Sequence, residues 1–168
     1  MRVYVDATTI IALGSVGELQ LLRNFDGEVT VPPAVRDEVT TEPARTNLVN
    51  FVDSDEVRTE LTTSNGSLRE AREVLNEDEE NGDVQIVACV LEQEDVAVLS
   101  DDRRVRTVSE GFGATVTGTV GVVVRAVREG MSSEEAKDVV RRVDQHGLHM
   151  TAELREKAYE LVEREDTN

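Results

Sequence analysis

Five carboxylates stand where an α/β chain gathers its ligands. "RVYVD" (Arg2 to Asp6) reads as a strand ending in an acid, and "VAVLSDD" (Val96 to Asp102) as a strand ending in two. In such sheets ligands collect beyond the carboxyl ends of the strands, so Asp6, Asp101 and Asp102 are directed to one edge. Helical spacing adds two more acids. In "PAVRDEV", Glu38 follows Val35 by three positions and precedes Val39 by one, so it shares their inward face, while Asp37 points away. In "GDVQIVACVL", Asp83 precedes Ile86, Val87 and Val90 by three, four and seven positions, at the head of an apolar stripe. Carboxylates in such places are costly to hide unless something cationic meets them.

Each acid also has a plainer use. Asp6 can cap the helix after the first strand, Asp83 or Asn81 the helix that opens near Gly82, and one of Asp101 and Asp102 the helix that follows them. Glu38 can simply sit at a helix edge. Their convergence on one end of one sheet favours the shared site.

The elements that must position them alternate. "ATTIIALGSVGELQLLRNF" looks helical, broken near Gly14 and Gly17, and "EVTVP" (Glu28 to Pro32) is a second strand. Pro33 opens the next helix, "PAVRDEVT". The stretch from Glu42 to Asn65 is polar, with "LVNFVDS" able to form a short strand or a packing helix. "SLREAREVLNE" and Gly82 to Leu91 are helices, "VAVLS" a strand, Asp102 to Glu110 a helix, and "ATVTG" a further strand. "TVGVVVRAVREG" is a buried helix ended by Gly130, "SSEEAKDVVRRVDQHG" starts with a capping pattern, and "TAELREKAYELVERE" is a last amphipathic helix. The alternation predicts a three-layer α/β/α domain with a central, mainly parallel sheet over residues 1–130, and a C-terminal helical extension over residues 131–168.

Composition narrows the setting. The 168 residues suit one core, built mostly from Val, Leu, Ile and Ala, since there are three Phe, two Tyr and no Trp. No apolar stretch approaches the ~20 residues of a membrane span, and "MRVYVDATTII" enters a strand at once, which predicts no signal peptide. The single cysteine, Cys89, suits a small core residue and a reducing cytoplasm. Asp and Glu number 35 against 18 Lys and Arg, a formal net charge of −17, with Lys137 and Lys157 the only lysines. Such acidity resembles that of proteins from salt-accumulating archaea. At ~1 M salt the Debye length is only ~3 Å, so surface carboxylates barely repel one another. The acidity is then environmental and says little about partners.

Taken in order, these stretches resemble the PIN domain, the small metal-dependent nuclease fold of many VapC-type toxins. "VYVDATTII" is similar to the family's first motif, an acid after a strand with Ser or Thr two positions on, here Thr8. "VPPAVRDEV" resembles the segment whose helical Glu falls on Glu38, and "GDVQIVACV" the helix start whose acid falls on Asp83. "VLSDDRRVR" resembles the strand-end motif, with Ser100 at the hydroxyl and Asp102 at the acid. "GATVTGTVGVVVRAVREG" and "HGLHMTAELREKAYELV" are similar to a prokaryotic subgroup with a helical extension. Asp83 departs from the Glu common there, and the Asp101/Asp102 doublet leaves open which acid is the main ligand.

The resemblance implies RNA hydrolysis by Asp6, Glu38, Asp83 and Asp102. It implies Mg²⁺ or Mn²⁺ held by Asp6, Asp83, Asp101 and Asp102, with Thr8 and Ser100 orienting them from behind. Hard divalent cations favour oxygen ligands, and two ions ~3.5–4 Å apart can clamp the attacking and leaving oxygens. A homodimer and an antitoxin, whose segment would bring a basic side chain to the acids, are also implied. Arg103 and Arg104 are the candidate RNA contacts, with Arg106, Arg125 and Arg128 as further local cations; a solvated face balancing nearby acids competes with that role. His146 and His149 lack further ligands nearby and are read as surface or packing residues, as Met131 and Met150 are read as packing.

Rival readings lack their residues. A haloacid-dehalogenase phosphatase needs Asp-x-Asp after the first strand, where this chain has Asp6, Ala7 and Thr8. A response-regulator receiver needs a lysine late in the sheet, and both lysines here lie in the C-terminal helices. The remaining alternative is a catalytically silent PIN-like binding or assembly module, which would have no reason to bind Mn²⁺ at the acids.

Overall fold

The computed structural model describes residues 1–54 and 56–168. The chain runs β1 (Arg2–Val5), α1 (Ala7–Gly14), a 3₁₀ turn (Leu19–Asn24), β2 (Glu28–Thr30), α2 (Pro33–Glu38), α3 (Ala44–Val52) and β3 (Val57–Arg58). It continues through α4 (Asn65–Leu75), α5 (Gly82–Glu92), β4 (Val96–Leu99), α6 (Arg103–Gly111), β5 (Thr115–Thr117), α7 (Thr119–Arg128), α8 (Ser133–His146) and α9 (Ala152–Asp166).

Among the described residues the strands form one sheet in the order β3-β2-β1-β4-β5, and every pairing is parallel. The two central strands are the most apolar. β4 is buried at every residue and β1 from Val3 onward, as a sheet covered on both faces requires. From β1 the chain steps outward to β2 and β3, then returns across β1 to β4 and continues to β5. The helices group accordingly, α1 against α3 and α4 against α5 and α6, the two faces that right-handed crossovers in these opposite directions require. The architecture is three-layered. At the β1–β4 seam the connections diverge, and the crevice beyond its carboxyl end is where such sheets hold ligands.

Two helices stay near that crevice. α2 has six residues, so it rises only ~9 Å and remains at the edge, against α1 and α5. α5 opens there with Gly82 and Asp83 and then buries Val84 through Val90.

Some local expectations are met in altered form. The apolar spacing after Gly17 winds as a 3₁₀ turn, because Leu19 and Leu22, three apart, share a face at three residues per turn as well as in an α-helix. "LVNFVDS" lies in a helix whose Leu48 and Phe51 are buried together. The polar stretch after α3 supplies β3, two residues paired with Val29 and Thr30, too short for any periodicity to register. α7 ends two residues before Gly130, which takes φ +113°. No helix among the described residues is long and apolar enough to cross a membrane.

The C-terminal helices share the main core. Ser132 and Glu135 close a capping box at the start of α8. Val139, Val140 and Val143 of α8, with Ala158 and Val162 of α9, lie in the same cluster as the sheet residues Val3, Val5 and Val98. Arg142 fastens α8 to the chain after α1, donating to the Val16 carbonyl at 2.9 Å and to Glu18 at 2.7 Å. Each fully buried Val is worth about 1.5–3 kcal/mol, so losing these helices removes an amount comparable to the ~5–15 kcal/mol that holds a domain together. A chain truncated after Gly130 is therefore expected to lose its cooperative urea transition. A sharp transition retained at the full-length midpoint would contradict the shared core.

Candidate functional site

Asp6 follows β1 directly and is 2% exposed. The β1–β4 register pairs Val5 with Leu99, and the Asp6 N–H extends it by donating to the Leu99 carbonyl at 2.9 Å. One carboxyl oxygen, Oδ1, accepts from the Ala7 N–H at 2.7 Å and so caps α1. The other, Oδ2, accepts two hydroxyls: Thr8 at 2.9 Å and Ser100 at 2.6 Å. Those hydroxyls are themselves held by the doublet's backbone. Thr8 Oγ1 accepts from the Asp101 N–H and Ser100 Oγ from the Asp102 N–H, each at 3.0 Å. A hydroxyl both donates and accepts, and here each links the end of β1 to the end of β4.

The doublet then divides. Asp102 caps α6, its Oδ1 accepting from the Val105 N–H at 3.0 Å. Asp101 turns toward β5 and α7, where Oδ1 accepts from the Thr119 N–H at 2.8 Å and Oδ2 from the Thr119 hydroxyl. The α7 N-cap residue is Gly118, which has no side chain to do this. A Cβ there would come within 2.7 Å of Asp101 Oδ1 and of Arg106 Nη1. Both acids of the doublet therefore serve helix N-termini, and Asp102 also acts electrostatically on Asp6 and Asp83.

α5 is capped by Asn81, whose side chain accepts from the Val84 N–H at 2.9 Å, and this frees Asp83. Asp83 is half-buried at the head of the helix, next to Gly82, whose N–H donates to Glu38 Oε1 at 2.7 Å. A Cβ on Gly82 would stand 3.0 Å from both Glu38 oxygens and 2.8 Å from Val35 Cγ2, so glycine is what lets α2 and α5 meet. Glu38 is exposed as a residue while its carboxyl is anchored to α5; Val35 and Val39 beside it are buried and Asp37 is exposed, as the spacing indicated.

The four acids Asp6, Glu38, Asp83 and Asp102 thus come from four elements and act on one another. Burial raises the Asp6 carboxyl above its ordinary range against the pull of Ser100, Thr8 and Ala7, and the Asp102 charge adds to the rise. Glu38 is raised by burial, opposed by the Gly82 N–H and reinforced by Asp6 and Asp37. Asp83 is pushed up to about 6 by burial and by the charge of Asp6, an effect that its bond from Arg104 only partly offsets; Asp102 and Glu38 add smaller rises. Among the described residues no three His, Cys, Asp or Glu side chains are drawn together closely enough to hold an ion as they stand.

The donor set is all oxygen. Hard divalent cations such as Mg²⁺ keep several waters and take one or two carboxylates directly, which suits a set made of carboxylates and hydroxyls alone.

Of the arginines, Arg103 is exposed, and Arg104 donates to Glu77 at 2.6 Å, to Asp83 at 3.2 Å and to the Leu75 carbonyl at 3.0 Å. Arg106 reaches the Ser100 carbonyl at 3.5 Å. Arg125 binds the Asn24 carbonyl and Asp26 and lies 5.2 Å from the Phe25 ring centroid, and Arg128 pairs with Glu165. His146 is the last residue of α8 and His149 lies in the turn that follows. Cys89 is fully buried, its thiol pushed up to about 11 by burial.

Two positioning residues escaped the sequence reading. Gln85, buried within α5, accepts from the Ala34 N–H at 2.9 Å and so holds α2, the helix of Glu38. A lone amide inside "VQIVACV" was its signal. Thr119 fixes Asp101, with nothing local to mark it, since its partner lies eighteen residues away.

A family model described as "DUF3368: PIN domain" matches residues 2–164. No curated protein and no solved structure matches the chain significantly.

The Asp83 shift carries a sign. With its folded pKa near 6 and its ordinary value 3.8, the folded state holds the extra proton between those pH values, so this group's contribution to stability falls as pH rises through that window. Asp83→Asn in chelator-treated protein is expected to match the wild type near pH 4 and to melt at higher temperature than it above pH 6. A difference that is flat with pH, or that favours the wild type at neutral pH, would contradict the crowding of charge.

Proposed function

The chain belongs to the PIN-domain family, and on that premise we propose that it is a divalent-metal-dependent endoribonuclease. Proteins of this family are generally nucleases. The observation that carries the reading is the set of four carboxylates at the β1–β4 seam, each of Asp6, Glu38 and Asp83 raised in part by the charge of its neighbours. A site that concentrates negative charge at the topological switch of an α/β sheet is suited to a cation.

Asp6, Glu38, Asp83 and Asp102 would hold Mg²⁺ or Mn²⁺, which when bound supplies the positive charge that brings an anionic phosphate and an attacking water together. Asp6 is fixed for this by its Thr8 and Ser100 hydroxyl bonds. Asp102 offers the oxygen not engaged by Val105, and Glu38 offers Oε2, its Oε1 being taken by Gly82. Asp101, bonded through both oxygens to Thr119, supports the site from behind and keeps β4 and α7 in register with it.

RNA is recognised without a broad basic face. At a net charge of −17 there is no long-range attraction for a polyanion, so phosphate contact falls to the cation and to Arg103, exposed next to Asp102. A toxin role with an antitoxin partner, a cytoplasmic setting, a high-salt source and a homodimer complete the reading.

The test is cleavage of a fluorophore-labelled single-stranded RNA with and without Mn²⁺. The wild type is expected to cut only with metal, and Asp6→Asn to fall to background. Ser100→Ala and Thr8→Val, which leave every proposed ligand in place but loosen Asp6, are expected to lower the rate about 10–100-fold. Equal cleavage by wild type and Asp6→Asn, or none by either, would reject the nuclease reading.

A further inference from the structure

Arg104 donates to an acid of the carboxylate site and to two acceptors beyond it. It sits in the first turn of α6, two residues after Asp102. Its guanidinium reaches three acceptors that belong to other elements. Nη1 donates to the Leu75 carbonyl at 3.0 Å, and Nη2 donates to Glu77 Oε1 at 2.6 Å and to Asp83 Oδ2 at 3.2 Å. Leu75 is the last residue of α4, which ends at Asn76 in the left-handed region, φ 54°. Its carbonyl is one of those a helix end leaves without an intrahelical partner, and a cation is favoured there by the helix dipole. Asp83 opens α5. The arginine therefore spans the whole α4–α5 connection, residues 76–81, from the side of α6.

We propose that Arg104 is a positioning residue of the carboxylate site: by bridging Leu75, Glu77 and Asp83 it fixes Asp83 against the start of α6, on the side where the charge of Asp102 acts on it. The inference rests on the metal-dependent reading given above. The connection that leads into Asp83 carries four consecutive acids, Glu77 to Glu80, and without this tether repulsion from them and from Asp6 would turn the Asp83 carboxylate away from α6. The sign of the effect follows from the distances. Arg104 stands closer to Glu77 than to Asp83, so Glu77 balances most of its charge and Asp83 keeps its own for the cation. A planar guanidinium can serve three acceptors in fixed directions, which an ammonium cannot.

The experiment compares wild type, Arg104→Lys and Arg104→Met, whose side chain is nearly half exposed in the wild type and makes little demand on the core. Mn²⁺ affinity is measured by calorimetry, and amide hydrogen exchange is followed in the metal-free proteins. Both variants are expected to bind Mn²⁺ about 10–100-fold more weakly and to exchange faster over residues 77–84, with the β1 and β4 amides unchanged. Lysine failing along with methionine is the signature of the three-way bridge, since simple charge balance would be rescued by lysine. Wild-type affinity in either variant, or unchanged exchange over residues 77–84, would overturn the proposal. A wild type that takes up no Mn²⁺ would instead overturn the nuclease reading, and the exchange comparison would still decide the tether.

Discussion

A carboxylate buried at the end of a central strand constrains everything around it. Moving such a charge out of water costs several kcal/mol even after relaxation, and Asp6 is 2% exposed. Three hydrogen bonds, from Ala7, Thr8 and Ser100, offset part of that cost, yet burial still raises its proton affinity. The hydroxyls that satisfy it are positioned by the Asp101 and Asp102 amides. The parallel pairing of β1 with β4, the strand-end doublet and the two small hydroxyl residues are thus parts of one arrangement. Remove any one and a buried oxygen or N–H loses its partner.

Capping and site-building are the same act here. Asp6 and Asp102 each give one oxygen to a helix N-terminus, Asp6 gives its other to the Thr8 and Ser100 hydroxyls, and Asp101 gives both of its oxygens to Thr119. Helix N-termini favour negative charge, so three helices beginning at one sheet edge help retain acids there whose mutual repulsion would otherwise expel them. Gly82 and Gly118 mark where this crowding leaves no room for a Cβ. The doublet after "VAVLS" answers to two helices, α6 and α7.

Much of this was legible in the chain. Strand-end acids, the Val35–Glu38–Val39 spacing and the apolar stripe after Asp83 depend on local periodicity, which survives folding, and the parallel three-layer sheet follows from the alternation of elements. What could not be read was set by distant partners. Nothing near Asp101 foretells Thr119, nothing near Arg104 foretells Leu75, and β3 is an edge strand of two residues held by β2 rather than by its own pattern. Arg104, a candidate RNA contact by its place after the doublet, donates to Leu75, Glu77 and Asp83 while its side chain stays nearly half exposed. The exposed Arg103 beside it remains available to solvent.

The central claim is that four carboxylates from four elements serve one cation. A crystal soaked in Mn²⁺ and measured at the manganese absorption edge tests it most directly. The account predicts an anomalous peak in the crevice beyond β1 and β4, within ~2.0–2.5 Å of oxygens from at least two of Asp6, Glu38, Asp83 and Asp102. Manganese bound only elsewhere, with that crevice holding none at saturating metal, would contradict it.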